Sequence, residues 1–462
     1  MPDRPNIVLF LTDDHGAWAN GCYGNQEVHT PTLDALAATG VRFRHAYTPT
    51  PVCSPARACL LTGKTASQVG IHDWLQEAIP EVGQRDWLGA TQTVFDYLSE
   101  AGYHTGLSGK WHLGQSHRPP RGADYYFGLP GWQGAHNGPY TYVRNGDMIE
   151  LDGNKSRLIT DHAIEFLDAV PADTPFFLNI GYIATHSPYV QSAHDPRQTA
   201  RYQDCAFAEI PPYEPHPWVK NEGGANALSQ SDLRDRYIGY YAAATEIDDN
   251  IARVIGALKV RNLLEDTIII YTSDHGCAIG HQGFFGKGNS TRPLNMYEVS
   301  LAVPLIVSGA GIETRTLDQF VDHCDTFHTI CQLARADLPP AAYAGASYAD
   351  LLRGGDIPWD NTRFGEYGDL RMIRDERWKL ILRYPDGPHE LFDLREDPSE
   401  SINCYAQRPE VVTRYKARLD AFYAKHEVEA LSGLRVKQQP LHNDGNEAWR
   451  DGRREARGLQ VY

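Results

Sequence analysis

The run Asn6-Ile-Val-Leu-Phe-Leu-Thr12 constrains the fold more than any other stretch of this chain. A largely apolar segment of this length reads as a strand buried on both faces, the pattern of a central strand in a parallel sheet. It stops at Asp13-Asp14-His15-Gly16, so its carboxyl end carries two acids before the chain turns. In open α/β sheets ligands bind at the carboxyl ends of strands. Adjacent carboxylates repel, and a bound cation is the main reason to place them side by side. A plain turn in which an Asp caps a helix is the alternative.

The same grammar recurs. Tyr103–Ser108 reads as a strand that ends in Gly109-Lys-Trp-His-Leu-Gly114; Lys110 and His112 alternate and so can face one pocket. Phe176–Ile183 is followed by Ala184-Thr-His-Ser-Pro-Tyr189, and Thr267–Thr272 by Ser273-Asp-His-Gly276. Helical spacing predicts helices at Pro31–Thr39, Thr91–Ala101, Lys155–Ala169, Asp232–Val260 and Asp322–Arg335. In the long Asp232–Val260 helix the acids Glu246, Asp248 and Asp249 read as packing, capping or surface charges. The fold class is therefore α/β, a large mixed and mostly parallel sheet sandwiched by helices. After Arg353-Gly-Gly-Asp356 the character changes. Arg371–Ile373, Trp378–Tyr384 and His389–Phe392 read as short antiparallel strands, with a helix at Pro409–Lys425 packed on them. The expected divisions are 1–355, 356–426 and a C-terminal extension, 427–462.

Between the first two strand ends lies Pro51-Val-Cys-Ser-Pro-Ala-Arg-Ala-Cys-Leu-Leu-Thr-Gly-Lys64. Ser54 suits a helix N-cap and Pro55 a first helical position. Cys53 then sits just before a helix N-terminus, where N–H groups and the macrodipole favour an anion. Cys-x-Pro-Ala-Arg followed by Leu-Leu-Thr-Gly resembles the signature of the type I sulfatases, within the alkaline phosphatase superfamily. Many members have Ser where this chain has Ala56. The resemblance runs in order through Gly21-Cys-Tyr-Gly24, His29–Asp34, Gly40-Val-Arg-Phe43, the Lys110 and His186 segments, Ser273–Gly276, Gly283–Gly288 and Asn295–Glu298. It ends in a C-terminal subdomain containing Trp378-Lys-Leu-Ile381 and Glu390–Leu394.

The resemblance implies that a maturase oxidises Cys53 to formylglycine, whose hydrate is the nucleophile of sulfate-ester hydrolysis. Asp13, Asp14, Asp274 and His275 hold one divalent cation, which also binds residue 53. Arg57 anchors the formylglycine, Lys110 and Lys287 bind the sulfate, and His186 or Lys287 protonates the departing alcohol. His112 takes the proton from the remaining hydroxyl. The family's commonest pattern has Asn where this chain has His275. Calcium is the expected ion, and the imidazole leaves Mg²⁺ and Mn²⁺ open. Arg118–Ala135, rich in Pro, Gly and aromatics (Tyr125, Tyr126, Phe127, Trp132), reads as a long loop that shapes a substrate mouth. His72, Asp73, His136 and Asn137 are candidate substrate contacts, with solvated loop positions as the plainer reading.

Charge narrows the partners. With 43 basic and 59 acidic side chains the net charge is -16, which argues against nucleic acid as a partner and mildly against long polyanions. The expected substrate is a small sulfated mono- or oligosaccharide. The five consecutive apolar residues before Asp13 are too few for a signal sequence or a membrane span. The eight cysteines contain no Cys-x-x-Cys pair and read as reduced, so a cytoplasmic location is expected. The extension 427–462 reads either as an arm meeting a second subunit in a homo-oligomer or as a loose tail. Two other functions fit the motifs: a phosphate or phosphonate ester hydrolase, and a non-catalytic sulfate-binding relative with unmodified Cys53.

Overall fold

The computed structural model describes residues 4–131, 134, 136–219, 228–338, 343–443 and 449; Trp132 and most of the extension beyond 443 lie outside them. The strands in chain order are β1 (Asn6–Thr12), β2 (Val41–Tyr47), β3 (His104–Gly109), β4 (Tyr125–Gly128), β5 (Asn137–Arg144), β6 (Asp147–Asn154), β7 (Phe176–Gly181) and β8 (Thr267–Ser273). There follow β9 (Ala278–Ile279), β10 (Phe285–Gly286), β11 (Leu305–Gly309) and β12 (Arg315–Asp322). All but the β9–β10 ribbon form one sheet of order β12-β2-β11-β8-β1-β7-β3-β4-β5-β6. β1 runs parallel to both β7 and β8, while β11, β5 and β6 are antiparallel to their neighbours.

The period of two in β1 explains its place. Ile7, Leu9 and Leu11 enter the core on one face of the sheet, and Val8 and Phe10 the core on the other. Each fully buried aliphatic or aromatic side chain contributes about 1.5–3 kcal/mol, so a strand buried on both sides anchors the sheet. One face is covered by helices that include α2 (Cys53–Thr62), Val94–Glu100 and His323–Ala334, the other by α1 (Pro31–Thr39), Lys155–Ala169 and Gln230–Val260. Asp248 accepts from the backbone N–H groups of Thr32 and Leu33 at 3.0 and 2.8 Å, capping α1 from a distant helix.

The smaller sheet, β13 (Arg363–Tyr367), β14 (Leu370–Arg374), β15 (Trp378–Arg383) and β16 (Glu390–Asp393), is an antiparallel meander backed by the helix Pro409–His426. A buried ion cluster joins it to the main body: Lys379 meets Glu298 at 3.0 Å and Glu400 at 2.7 Å, and Arg374 meets Glu298 at 2.8 Å. Three expectations change. The stretch 118–135 contains strand β4, and the hairpin β5–β6 follows it, closed by Asn145-Gly146 (φ 52° and 100°) with Tyr140, Tyr142, Ile149 and Leu151 alternating towards the core. β13 adds a fourth strand to the small sheet. Residues 427–443 pack on their own chain, with Val428 N–H bonded to the Ser67 carbonyl. No helix among the described residues is long and apolar enough to cross a membrane.

Candidate active site

The strand ends converge. Asp13 and Asp14 follow β1, Asp274 and His275 follow β8 in the adjacent position, and Lys110 follows β3. Cys53 is the first residue of α2 and does not precede it; Val52 is the N-cap. The reason is that Ser54 Oγ, expected to cap the helix, instead accepts from Leu75 N–H at 3.0 Å. Cys53 Sγ lies 3.5 Å from Asp13 Oδ1, 3.0 Å from Lys287 Nζ and 3.5 Å from His275 Nε2. Lys287 Nζ also donates to Asp14 Oδ1 at 2.6 Å, and Lys110 Nζ to Asp13 Oδ2. Arg57 Nε donates to Asp274 Oδ2 at 2.9 Å and its Nη1 to the Lys110 carbonyl at 2.9 Å. Its Nη2 is buried without a partner among the described residues.

Charge balance sets the chemistry of this cluster. Burial alone would raise the Asp13 carboxyl, but Lys110, His186, Lys287 and Arg57 hold it well below the usual range. Asp14 is lowered against the same penalty, chiefly by Lys287. Burial and Asp13 push the Cys53 thiol up; Lys110, Lys287 and His275 outweigh them and bring it down, towards the thiolate. His275, despite burial, is raised to about 9 by Asp274 and Asp14.

The histidines are aimed by carbonyls. A carbonyl only accepts, so His112 Nε2, 2.8 Å from the Leu75 oxygen, carries the proton of the neutral ring. Its Nδ1 is then a buried lone pair with no partner among the described residues. Burial, Lys110 and Arg57 hold His112 well below its ordinary pKa and keep it neutral. His112 is not extended, as the alternation with Lys110 suggested; its φ is 62°, and Asp14 has φ 61°. Two non-glycine residues in the left-handed region beside one cluster mark strain held at a functional site. His186 Nδ1 lies 3.0 Å from the Ser187 carbonyl, which fixes that nitrogen as the donor.

Several supporting residues were not singled out from sequence. Tyr189 OH donates to Asp14 Oδ2 at 3.2 Å, and Thr185 Oγ1 and Tyr240 OH both donate to the Asp14 carbonyl at 2.7 Å. His323 Nε2 donates to the Asp274 carbonyl at 2.8 Å. Thr185 and Tyr189 stand inside the His186 segment, after a strand end, whereas His323 follows β12, a strand not among those expected from the sequence. The candidate substrate contacts are engaged within the protein. His72 and Asp73 are 0% and 1% exposed and are taken up by the C-terminal arm: His72 Nε2 donates to the Leu431 carbonyl and Asp73 accepts from Asn443. His136, 2% exposed, donates to the His186 carbonyl at 2.9 Å, and Asn137, exposed, donates to the Ala193 carbonyl.

The donor set fits a divalent cation. Ligand atoms of Asp13, Asp14, Cys53 and His275 lie within 4.8 Å of one another, and Asp274 Oδ1 is 3.4 Å from His275 Nε2. Three buried carboxylates are hard oxygen donors of the kind Ca²⁺, Mg²⁺ and Mn²⁺ take. They are matched by two lysines and one arginine. A divalent cation therefore leaves the pocket with an excess of positive charge, the complement of an anionic ester meeting an anionic nucleophile.

That electrostatic arrangement, at the carboxyl edge of the large mixed sheet, suits the hydrolysis of a charged ester. The family model described as Sulfatase matches residues 5–336, and the N-sulphoglucosamine sulphohydrolase C-terminal model matches residues 280–425. The chain belongs to the sulfatase family, and its reaction is the hydrolysis of a sulfuric ester. It is 30% identical to the uncharacterised sulfatase YidJ of Escherichia coli (strain K12) over 87% of this chain and 83% of that one. It is 27% identical to an N-acetylglucosamine-6-O-sulfatase of Bacteroides thetaiotaomicron over 96% and 88%. A solved structure of a protein in complex with its substrate D-glucosamine-2-N,6-O-disulfate superposes with a TM-score of 0.77 at 25% identity, covering 92% of this chain and 98% of that chain.

Proposed function

We propose that this sulfatase removes sulfate from a small sulfated saccharide, using a nucleophile made from Cys53. The observation that carries this reading is the setting of Cys53 Sγ, buried at a helix start within 3.0–3.5 Å of Lys287, Asp13 and His275. Converted to formylglycine by a maturase, residue 53 supplies a hydrate: one hydroxyl to attack sulfur, the other to expel sulfate once deprotonated. A cation held by Asp13, Asp14, Asp274 and His275 would supply Lewis acidity, favouring the deprotonated form of the attacking hydroxyl.

The side chains divide the remaining work. Arg57, through its unpartnered Nη2, orients the hydrate. Lys110 and Lys287 bind the sulfate oxygens, where charge grows in the transition state. His186 in its protonated form, or Lys287, delivers a proton to the departing alcohol oxygen. Nδ1 of His112 accepts the proton of the second hydroxyl. Calcium is the first candidate ion, and the imidazole of His275 in the ligand set keeps Mg²⁺ and Mn²⁺ beside it; elemental analysis of the purified enzyme decides among them.

The substrate reading draws on two of the relatives, whose name or title specifies a glucosamine sulfate. The test is sulfate release from 6-O-sulfated N-acetylglucosamine, other sulfated sugars and an aryl sulfate, each beside its phosphate counterpart, after co-expression with a maturase. Release from one sugar sulfate is expected. Turnover of the phosphate esters alone would overturn the proposal.

A further inference from the structure

Residues 70–77 lead from the end of the nucleophile helix region towards the site and form neither helix nor strand. Inside the segment Trp74 N–H donates to Asp73 Oδ1 at 2.9 Å and Glu77 N–H to the Leu75 carbonyl at 3.0 Å, and the rest of its shape depends on what holds it from outside. On the catalytic side, Leu75 N–H is held by Ser54 Oγ at 3.0 Å, next to Cys53, and the Leu75 carbonyl accepts from His112 Nε2 at 2.8 Å. The other holds come from far along the chain. Gln76 N–H donates to the His442 carbonyl at 2.9 Å, and His72 N–H to His442 Nε2 at 3.1 Å. Asn443 Nδ2 donates to Asp73 Oδ2 at 3.1 Å and to the Trp74 carbonyl at 3.2 Å. The His442 ring stacks on Trp87 with centroids 4.8 Å apart. The arm is itself pinned, by Val428 N–H on the Ser67 carbonyl at 3.0 Å and Gly433 N–H on Ser67 Oγ at 2.9 Å.

We infer that the C-terminal arm is a positioning element for His112, with His442 and Asn443 fixing the 70–77 turn whose Leu75 carbonyl sets the tautomer and aim of that ring. The inference rests on His112 as the proton acceptor of the proposed reaction. A His112 ring without this carbonyl has no fixed tautomer: its proton divides between two nitrogens, and the fraction with a lone pair on Nδ1 falls. His442 and Asn443 bond to His72, Asp73, Trp74 and Gln76 of the turn, and it is through the turn that they would reach His112. A few hydrogen bonds made some 370 residues later in the chain thus reach the release step of the reaction. The same contacts explain why His72 and Asp73, which look like substrate residues beside the nucleophile helix, are buried and engaged.

The experiment reads the ring before it reads turnover. Nitrogen NMR of the His112 imidazole, in the metal-free protein with Cys53 unconverted, is expected to show Nε2 protonated and Nδ1 bare. Asn443→Ala and His442→Leu are expected to give a mixture of tautomers, and His442→Gln, which keeps an acceptor for His72 N–H, to restore most of the single form. If Asn443→Ala does not fold, Asn443→Ser keeps a donor and takes its place. In the converted enzyme, kcat of the folded variants should fall about 10- to 100-fold, the effect of a displacement near 1 Å at a reacting group, with KM little changed.

Folded variants whose His112 spectrum and kcat match the parent would overturn the inference, as would a parent ring protonated on Nδ1. Failure of the underlying reading looks different: His112→Gln would then retain the parent kcat, whatever the arm variants do.

Discussion

Arg57→Met in the unconverted, metal-free protein removes a guanidinium that is 1% exposed and strands an Asp274 carboxylate that is 0% exposed. The pair is joined at 2.9 Å, and the second guanidinium bond, from Nη1 to the Lys110 carbonyl at 2.9 Å, is lost with it. Breaking one side of a buried pair costs about 3–5 kcal/mol, because the partner is left charged and dry. His275 Nε2, 3.4 Å from the other Asp274 oxygen, offsets part of this, so a loss of about 3 kcal/mol is expected. Asp274→Asn strands Arg57 in turn, and the double variant strands neither. Its loss should fall short of the sum of the singles by about 2 kcal/mol, within the range for contacting residues. Urea unfolding of the parent, the two singles and the double measures all four corners. A single-variant cost below about 1 kcal/mol, or additivity within about 0.5 kcal/mol, would refute the reasoning. In the converted enzyme the same Arg57→Met change should lower kcat by about 10²–10³, the usual effect of removing one donor from developing charge.

Asp73 predicts a pH dependence. Burial raises its carboxyl to about 6, against the bonds it receives from Tyr367, Asn443 and Trp74 N–H. The folded state then holds this proton more tightly than the unfolded chain, so its stabilising contribution is complete below about pH 4 and is lost as pH rises through about 6, roughly 3 kcal/mol in all. Asp73→Asn should therefore gain stability relative to the parent between pH 4.5 and 7.5 in urea unfolding; a flat difference contradicts it. Gly109 has φ 117°, and a Cβ there would fall 2.1 Å from the Gly181 carbonyl oxygen. Gly109→Ala should cost about 2 kcal/mol or more, at the strained end of such changes, and lower activity through the neighbouring Lys110; unchanged thermal unfolding would contradict the tight β3–β7 approach. A cation that binds the folded state alone stabilises it by about 2.7 kcal/mol at a hundred times its Kd. Calcium or manganese should thus raise the unfolding temperature of the parent and fail to do so for Asp13→Asn.

Local pattern made the catalytic core legible. β1 and β8 are apolar runs that stop at acids, so each was legible as a strand-end site; that Asp13, Asp14, Asp274 and His275 form one group came from the resemblance, and the pairing of β1 with β8 is what brings them together. Cys53, Arg57 and Lys287 needed the resemblance as well, because a cysteine at a helix start and a lysine between glycines are ordinary in isolation. What stayed hidden is non-local. Nothing near Tyr189 or Tyr240 in sequence says that both reach Asp14, and the docking of Asn443 on Asp73 joins residues 370 apart. The hairpin β5–β6 was missed although its signals are present: Asn145-Gly146 is a two-residue hairpin turn, and Tyr140, Tyr142, Ile149 and Leu151 alternate on the core side. The helix start shifted by tertiary competition, since Leu75 N–H claims the Ser54 hydroxyl that local capping rules assign to the helix.

In the proposed reaction, turnover depends on conversion of Cys53. Mass spectrometry of the peptide containing Cys53, from protein made with and without a formylglycine-generating maturase, measures the converted fraction, and sulfate release is assayed on the same preparations. The account predicts that the Cys53 side chain appears as an aldehyde, that turnover rises in proportion to the converted fraction, and that folded Cys53→Ala releases no sulfate. Equal turnover from unconverted protein, or from Cys53→Ala, would contradict it.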